Sequence, residues 1–434
     1  MNVNRIPTGV RRPPGARSIG PARVGTGSPG ADREGKTMTT ADERVHTYPF
    51  NRPEGLELSP AYRDARVAPG MIRVRLPFGE PAWLATRYED VRFVLGDRRF
   101  SRALAARSDE PRNQSYRRPG GILAMDPPDH TRLRVLVAGA FTVRRVEKLR
   151  PWVRQIAAGL VADLVAAGPP ADLVDAFALP LPVQVICELL GVPAEDRHLF
   201  RAWSDAMLST SSLTAEEFVR NERELNAYMA GLVAQRRERP ADDLMSALIA
   251  ARAENLDRLT EEELVELCIG VLVAGHETTA TQIPNFTHVL LAHPERFDQL
   301  RADPDLIPAA VEELMRFVPL GAGAGFARYA TEDVLVGDVP VRAGEPVLCA
   351  VASANRDEGR FEEPEELRFD RQETQHLGFG HGVHHCLGAP LARLELQEAL
   401  RALITLPDLR LAGDPVWKTQ MLVRGPRELP VAWG

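Results

Sequence analysis

The stretch Leu377-Gly378-Phe379-Gly380-His381-Gly382-Val383-His384-His385-Cys386-Leu387-Gly388-Ala389-Pro390-Leu391-Ala392-Arg393 decides how this chain is read. It is a glycine-pinned loop that presents one thiol and runs at once into a helix. Gly380, Gly382 and Gly388 can take backbone conformations closed to other residues, so the loop can fold tightly round a flat partner. Cys386 falls at the start of the helix, where backbone N–H groups stabilise a sulfur anion. Phe379 supplies an aromatic wall beside that sulfur. A single cysteine ligand, shielded and hydrogen-bonded, is what a haem-thiolate site needs. The neighbouring His381, His384 and His385 also suggest zinc, but no second Cys/His pair follows at finger-like spacing and the glycines have no role there.

The stretch resembles the haem-binding loop of the cytochrome P-450 family. The pattern Phe-Gly-x-Gly-x-His-x-Cys-x-Gly is matched by Phe379, Gly380, Gly382, His384, Cys386 and Gly388, and the match continues into Leu391-Ala392-Arg393. The resemblance covers residues 45 to 434. It implies a mainly α fold with minor β, a triangular, helix-rich single domain enclosing haem b (iron protoporphyrin IX). Cys386 would be its metal ligand, with Phe379 and Gly388 beside it.

Composition agrees with a globular protein. Hydrophobic residues make up 44% and charged residues 26% of the 434, an ordinary soluble mix. The net charge of −7, with no interleaving of aromatic and basic residues, argues against nucleic acid. No run of about 18 apolar residues occurs, so no membrane span is expected and the chain resembles the soluble bacterial, actinobacterial members of the family. Cys187, Cys268, Cys349 and Cys386 lie far apart without a disulfide framework, which fits a reducing cytoplasm. Cys187 and Cys268 fall in apolar helical patterns and read as core.

Residues 1–40 are rich in Pro, Gly and Arg and carry few large apolar side chains, so they are expected to be disordered, with the haem-thiolate domain at 41–434. Arg11-Arg12 is not followed by an apolar segment, which argues against an export signal. Met38-Thr39-Thr40-Ala41-Asp42 opens normal-looking globular sequence and is an alternative start. Alternation of Ile72, Val74 and Leu76, then Trp83 and Leu84, around Pro77-Phe78-Gly79-Glu80 predicts a hairpin. From 130 to 320 the pattern is helical, broken at Gly168-Pro169-Pro170 and Arg239-Pro240. Short strands return between 326 and 350.

A long helix is expected from Thr260, whose hydroxyl can cap it while Glu263 reaches back. Leu264, Leu267, Cys268 and Val271 form its apolar stripe, and Ala274-Gly275-His276-Glu277-Thr278-Thr279 lies inside it. Gly275 costs the helix about 1 kcal/mol against Ala, and close approach to a flat cofactor is the reason expected here. Thr278 can return its hydroxyl to the Ala274 carbonyl and open a notch. Pro284 removes a further helix hydrogen bond. The run is similar to the family's oxygen-binding motif, with Glu277 and Thr278 at the acid and alcohol positions. The resemblance makes these the catalytic pair: Thr278 would hold a water, and Glu277 would relay protons from solvent for O–O cleavage.

Asp126-Pro127-Pro128-Asp129-His130-Thr131-Arg132-Leu133-Arg134 reads as a helix start with Asp129 as its cap. His130 and Arg134 are four apart, on one face, and can bind a carboxylate together. The resemblance makes them, with Arg328 and His384, the holders of the haem propionates. Glu313 and Arg316, in Glu312-Glu313-Leu314-Met315-Arg316, match the family's Glu-x-x-Arg. They are expected to form a buried pair completed by Arg371, supporting the loop rather than acting in chemistry.

The function implied is that of a cytochrome P-450 monooxygenase. It would insert one oxygen atom from O2 into a C–H bond or alkene of a bulky small molecule, as a tailoring step in secondary metabolism of polyketide or macrolide type. The chain holds no flavin or iron–sulfur pattern, so electrons would come from NAD(P)H through a ferredoxin and its reductase, docking near Arg132, Arg144 and Arg145. The small-residue-rich run Val318-Pro319-Leu320-Gly321-Ala322-Gly323-Ala324-Gly325 suggests space for substrate, lined by Val273, Ala274, Leu320 and Ala322, with residues 101 to 124 contributing. The alternative is a same-family oxidase coupling aromatic or cyclic-dipeptide substrates without oxygen insertion. A peroxide-driven enzyme is disfavoured by the intact Glu277-Thr278 pair, and a gas sensor has no use for an enclosed pocket.

Overall fold

The computed structural model describes residues 44–115, 121–210, 213–255 and 258–434. The expectations for residues 1–40, for Arg11-Arg12 and for a start at Met38 lie outside them, as does part of the 101–124 segment. The expected hairpin is present. Ile72–Arg75 pairs antiparallel with Ala82–Ala85, with Ile72 opposite Leu84 and Val74 opposite Ala82. It sits in a six-stranded sheet whose spatial order is Val45–Thr47, Ile72–Arg75, Ala82–Ala85, Pro346–Cys349, Arg328–Ala330 and Phe100–Ser101. Phe100 pairs with Ala330 and Ser101 with Tyr329, which brings Arg102 and Arg328 to the same sheet edge.

Helices dominate the rest. The helix Arg150–Ala167 ends at Gly168, whose φ of 79° stops it, and Ala215–Glu238 ends just before Arg239-Pro240. The long helix runs Glu261–Ala292 behind the expected capping box: Glu263 N–H donates to Thr260 Oγ1 at 3.1 Å, and Thr260 N–H to Glu263 Oε2 at 2.9 Å. It is the axis of the main core. Pro180–Leu190, Ala389–Leu403 and Ala215–Glu238 all pack against it. Leu264, Leu267, Cys268, Ile269 and Leu272 are buried in that core, and each such side chain contributes about 1.5–3 kcal/mol. The described residues form one compact unit, mainly helical with minor sheet. No described helix is long and apolar enough to cross a membrane.

Two local expectations are corrected. Asp129 does not cap its helix: it is the first residue of Asp129–Ala138, and the capping position falls to Pro128, which makes no side-chain bond. Asp126 is the working carboxylate instead, accepting from the backbone N–H of Arg102 at 2.8 Å and of Ala103 at 3.3 Å. Arg132 is not a free basic contact, because Glu263 takes its guanidinium in a two-pronged pair at 2.6 and 3.0 Å.

Candidate active site

The cysteine loop is built by short-range backbone bonds. Gly380 N–H donates to Leu377 O and Cys386 N–H to Phe379 O, both at 2.8 Å, and His385 N–H to Gly382 O at 3.0 Å. Gly382 has φ 71°, and a Cβ there would stand 2.4 Å from Leu95 O; only glycine lets the loop lie against the helix Tyr88–Gly96. Gly388 departs from the expectation: its φ of −81° is open to any residue. A Cβ there would meet nothing within 4 Å, so its place beside the sulfur, not its conformational freedom, is what matters. All four cysteines are described, and Cys386 alone is exposed. Burial of its surroundings pushes the Cys386 thiol up; N–H groups of Gly388 and Ala389 and the charges of Arg134 and Arg393 work against that, favouring the thiolate.

A cluster of nitrogens flanks the loop. His130 and His384 lie with ring centroids 4.4 Å apart. Nδ1 of His130 and both ring nitrogens of His384 are buried with no hydrogen-bond partner among the described residues. Arg328 is buried and forms no salt bridge among the described residues. Burial pushes His384 down to about 4, and the charges of His130, Arg328 and Arg102 push the same way while Asp126 opposes. Unpaired buried nitrogens with this excess of positive charge call for an anionic partner. Arg134 donates from Nη2 to His385 O at 2.7 Å, so it also braces the cysteine loop, while its charge acts on His130. Arg102 takes a place in the cluster that sequence reading did not assign. It is anchored by Glu110 at 2.6 Å and by the Ala327 carbonyl. The only signal for it was its position next to a strand.

The long helix turns a small-residue face to open space. Gly270 and Ala274 are exposed and Thr278 half-buried in a helix whose other sides are packed. Thr278 Oγ1 donates to Ala274 O at 2.8 Å, as the notch requires. Gly270 was missed, although its spacing of four from Ala274 was the available sign; a Cβ there would meet nothing within 4 Å. Gly275 is not on this face. Its Cβ would stand 2.5 Å from Ile186 Cδ1, so its smallness serves packing against Pro180–Leu190, not approach to a cofactor. Glu277 is buried, not open to solvent. Lys418 Nζ lies 2.6 Å from its Oε1 and donates to Thr281 Oγ1 at 2.9 Å. Val273 packs into the main core. Leu320 accepts at 2.7 Å from Arg424 N–H, and Ala322 N–H donates at 2.9 Å to Leu422 O, so this run forms a wall with residues 422–424.

Behind the loop, Arg316 grips Glu313 through two bonds of 2.7 Å. Arg371 Nε donates to both Glu313 oxygens at 3.0 and 3.2 Å. The remaining Arg316 N–H groups go to the carbonyls of Asn355, Pro364 and Glu366. Every charge in this buried trio is therefore paired. The residues present fit haem: an exposed, N–H-cradled sulfur, unpaired nitrogens suited to propionates, and an open helix face of small side chains.

Comparison with known proteins follows the same line. The family described as Cytochrome P450 matches residues 183–421. The chain is 54% identical over 401 residues to the mycinamicin IV hydroxylase/epoxidase of Micromonospora griseorubida, covering 91% of this chain and 100% of that protein. It is 52% identical over 402 residues to the nocardicin C N-oxygenase of Nocardia uniformis subsp. tsuyamanensis, again covering 91% and 100%. Among solved structures it resembles HinD, crystallised with NMFT and NO, at a TM-score of 0.87 and 48% identity, covering 90% of this chain and 100% of that one.

Proposed function

Because the chain belongs to the cytochrome P450 family and is a haem-thiolate monooxygenase, we propose that it oxidises a bulky organic small molecule in a tailoring step of secondary metabolism, on a substrate of polyketide or macrolide type. The observation that carries this reading is the exposed Cys386 sulfur in its N–H cradle, while the other three cysteines are buried. When bound, haem supplies the dioxygen chemistry, with the thiolate pushing electron density toward O–O cleavage.

The chain's own residues bind, orient and move protons. Cys386 ligates the metal, with Phe379 and Gly388 beside it. Arg328, His384 and His130, with Arg102, hold the propionates by charge-assisted hydrogen bonds. Arg134 joins them at the propionates and also holds the loop through the His385 carbonyl. Thr278 Oγ1 positions a water in the notch. Glu277 passes protons toward it, and they reach Glu277 through Lys418 and Thr281, the groups in hydrogen-bond contact with it. Glu313, Arg316 and Arg371 are scaffold. Ala274, with Gly270, and the wall at Leu320 and Ala322 line the substrate space, and Val273 borders it from the core.

Electrons come from NAD(P)H through a ferredoxin reductase and a ferredoxin. The exposed Arg144 and Arg145 are the docking contacts, on Val143–Glu147, which packs against the helix following Cys386. The domain is residues 41–434, working in the cytoplasm. The two relatives, one named for hydroxylation and epoxidation and the other for N-oxygenation, have nearly equal identity to this chain. The oxidised atom is therefore set by the lining residues.

The test is product mass after incubation with a surrogate ferredoxin, its reductase and NADPH, using one panel of macrolactones and one of aromatic cyclic dipeptides. Gain of one oxygen on a macrolactone is expected. Loss of hydrogen with dimerisation or ring closure on the dipeptide panel would overturn the reading in favour of the coupling oxidase.

A further inference from the structure

Around Phe379, three residues form a linked set that the mechanism above does not use. Arg393 lays its guanidinium carbon 4.4 Å from the centre of the Phe379 ring, within cation–π range. Its orientation is fixed by Glu312, which accepts from Nε at 2.6 Å and from Nη2 at 2.9 Å. The second Glu312 oxygen also faces His376 Nε2 at 3.1 Å. His376 Nδ1 accepts from Gly378 N–H at 3.0 Å, which leaves Nε2 to carry the proton donated to Glu312. The His376 ring lies 5.8 Å from Phe379, closing the set.

These contacts tie three separate pieces of chain to one point. Glu312 comes from Ile307–Phe317, the helix that also carries Glu313 and Arg316. His376 and Phe379 belong to the cysteine loop, and Arg393 to the helix after it. Phe379 in turn accepts the Cys386 N–H at 2.8 Å. The Glu312 carboxyl is pushed up by burial, yet His376 and Arg393 bring it down to about 2, so it is held ionised beside Arg393. The Arg393 charge favours the Cys386 thiolate, and it is paired directly with the opposite charge of Glu312.

We propose that Glu312, His376 and Arg393 are positioning residues that fix the Phe379 ring and balance the charge beside Cys386, and so set the reduction potential of the haem. The proposal rests on Cys386 being the haem ligand. One-electron reduction of ferric to ferrous haem adds negative charge next to this pair. Exposing the Arg393 charge makes that easier, and exposing the Glu312 charge makes it harder.

The experiment is a spectroelectrochemical titration of purified holoenzyme with mediator dyes, together with the reduced carbon monoxide spectrum. Glu312→Gln leaves Arg393 uncancelled and is expected to raise the potential. Arg393→Met leaves Glu312 uncancelled and is expected to lower it. The double variant should return toward the parent value. Arg393→Lys keeps the charge but loses the two-pronged bond and the planar stack, and should shift the potential little. It also keeps the test open where Arg393→Met takes up no haem. Shifts in the same direction for Glu312→Gln and Arg393→Met, or none in any variant, would overturn the brace. A parent enzyme without a thiolate-type carbon monoxide spectrum would instead overturn the haem site itself, so the two failures are distinguishable.

Discussion

At the residue scale, the sharpest departure from expectation is Glu277. A carboxylate at the acid position of an oxygen-binding helix is expected to look toward solvent, yet this one is 2% exposed and pinned by Lys418, itself 9% exposed. An ion pair so buried gains little net stability when intact, but losing one partner is severe because the other charge stays buried. Lys418→Met is therefore expected to destabilise the protein by about 3–5 kcal/mol, read by urea denaturation. Lys418→Arg, which keeps the charge, should lose less. Product yield per NADPH should fall in Lys418→Met as well, since the proposed proton route through Lys418 to Glu277 is cut; unchanged yield would refute that route. Glu312 gives a pH prediction. Its carboxyl is held near 2 in the fold, against an ordinary 4.5, so its contribution is fully present above about 4.5 and is lost as pH falls toward 2. Glu312→Gln should flatten that part of the stability–pH curve and leave it unchanged above.

At the element scale, the long helix shows why some features are legible in sequence and others are not. The Thr260 capping box, the bond from Thr278 to Ala274 and the Glu313–Arg316 pair each span three or four positions, so local spacing reveals them. Lys418 is 141 positions from Glu277, and Arg102 is 225 from the Ala327 carbonyl it binds. Such partners are chosen by tertiary packing, and periodicity carries no sign of them. Gly275 was legible as an anomaly but not in its cause, because a glycine in an apolar helix reports closeness without naming the neighbour. That neighbour is Ile186. Ala at 275 gains about 1 kcal/mol of helix propensity and meets overpacking of about 1–3 kcal/mol. Gly275→Ala is thus expected to be destabilising by itself and stabilising in an Ile186→Ala background. A coupling of about 0.5–3 kcal/mol in the four-variant cycle would be the mark of direct contact, and additive effects would refute it. The Ile307–Phe317 helix carries a heavier burden. Glu313→Ala strands Arg316 and Arg371, both buried, and should cost about 3–5 kcal/mol together with haem content. Normal stability and haem loading in that variant would contradict the scaffold role.

At the scale of the whole molecule, charge is distributed against the net balance. The chain carries −7 overall, yet the helix behind Cys386 and its neighbours display Arg134, Arg144, Arg145 and Arg393. Arg132, expected in the same set, is neutralised by Glu263, and Arg134 is half-buried and donates to the His385 carbonyl. Arg144 and Arg145 are what remains for a partner: both are exposed, and the one ion pair among them, Arg145 with Asp242 at 3.8 Å, is loose and solvent-screened. An acidic electron carrier approaching this face would be steered by those two charges against a repulsive background, so the attraction should be short-ranged and strongly salt-dependent. Arg144→Glu with Arg145→Glu is expected to slow reduction by ferredoxin severalfold at low ionic strength and to flatten its salt dependence, with haem content and thermal stability unchanged. Stopped-flow reduction across a salt series reads both quantities. Parent-like rates at low salt would retire Arg144 and Arg145 as the docking contacts.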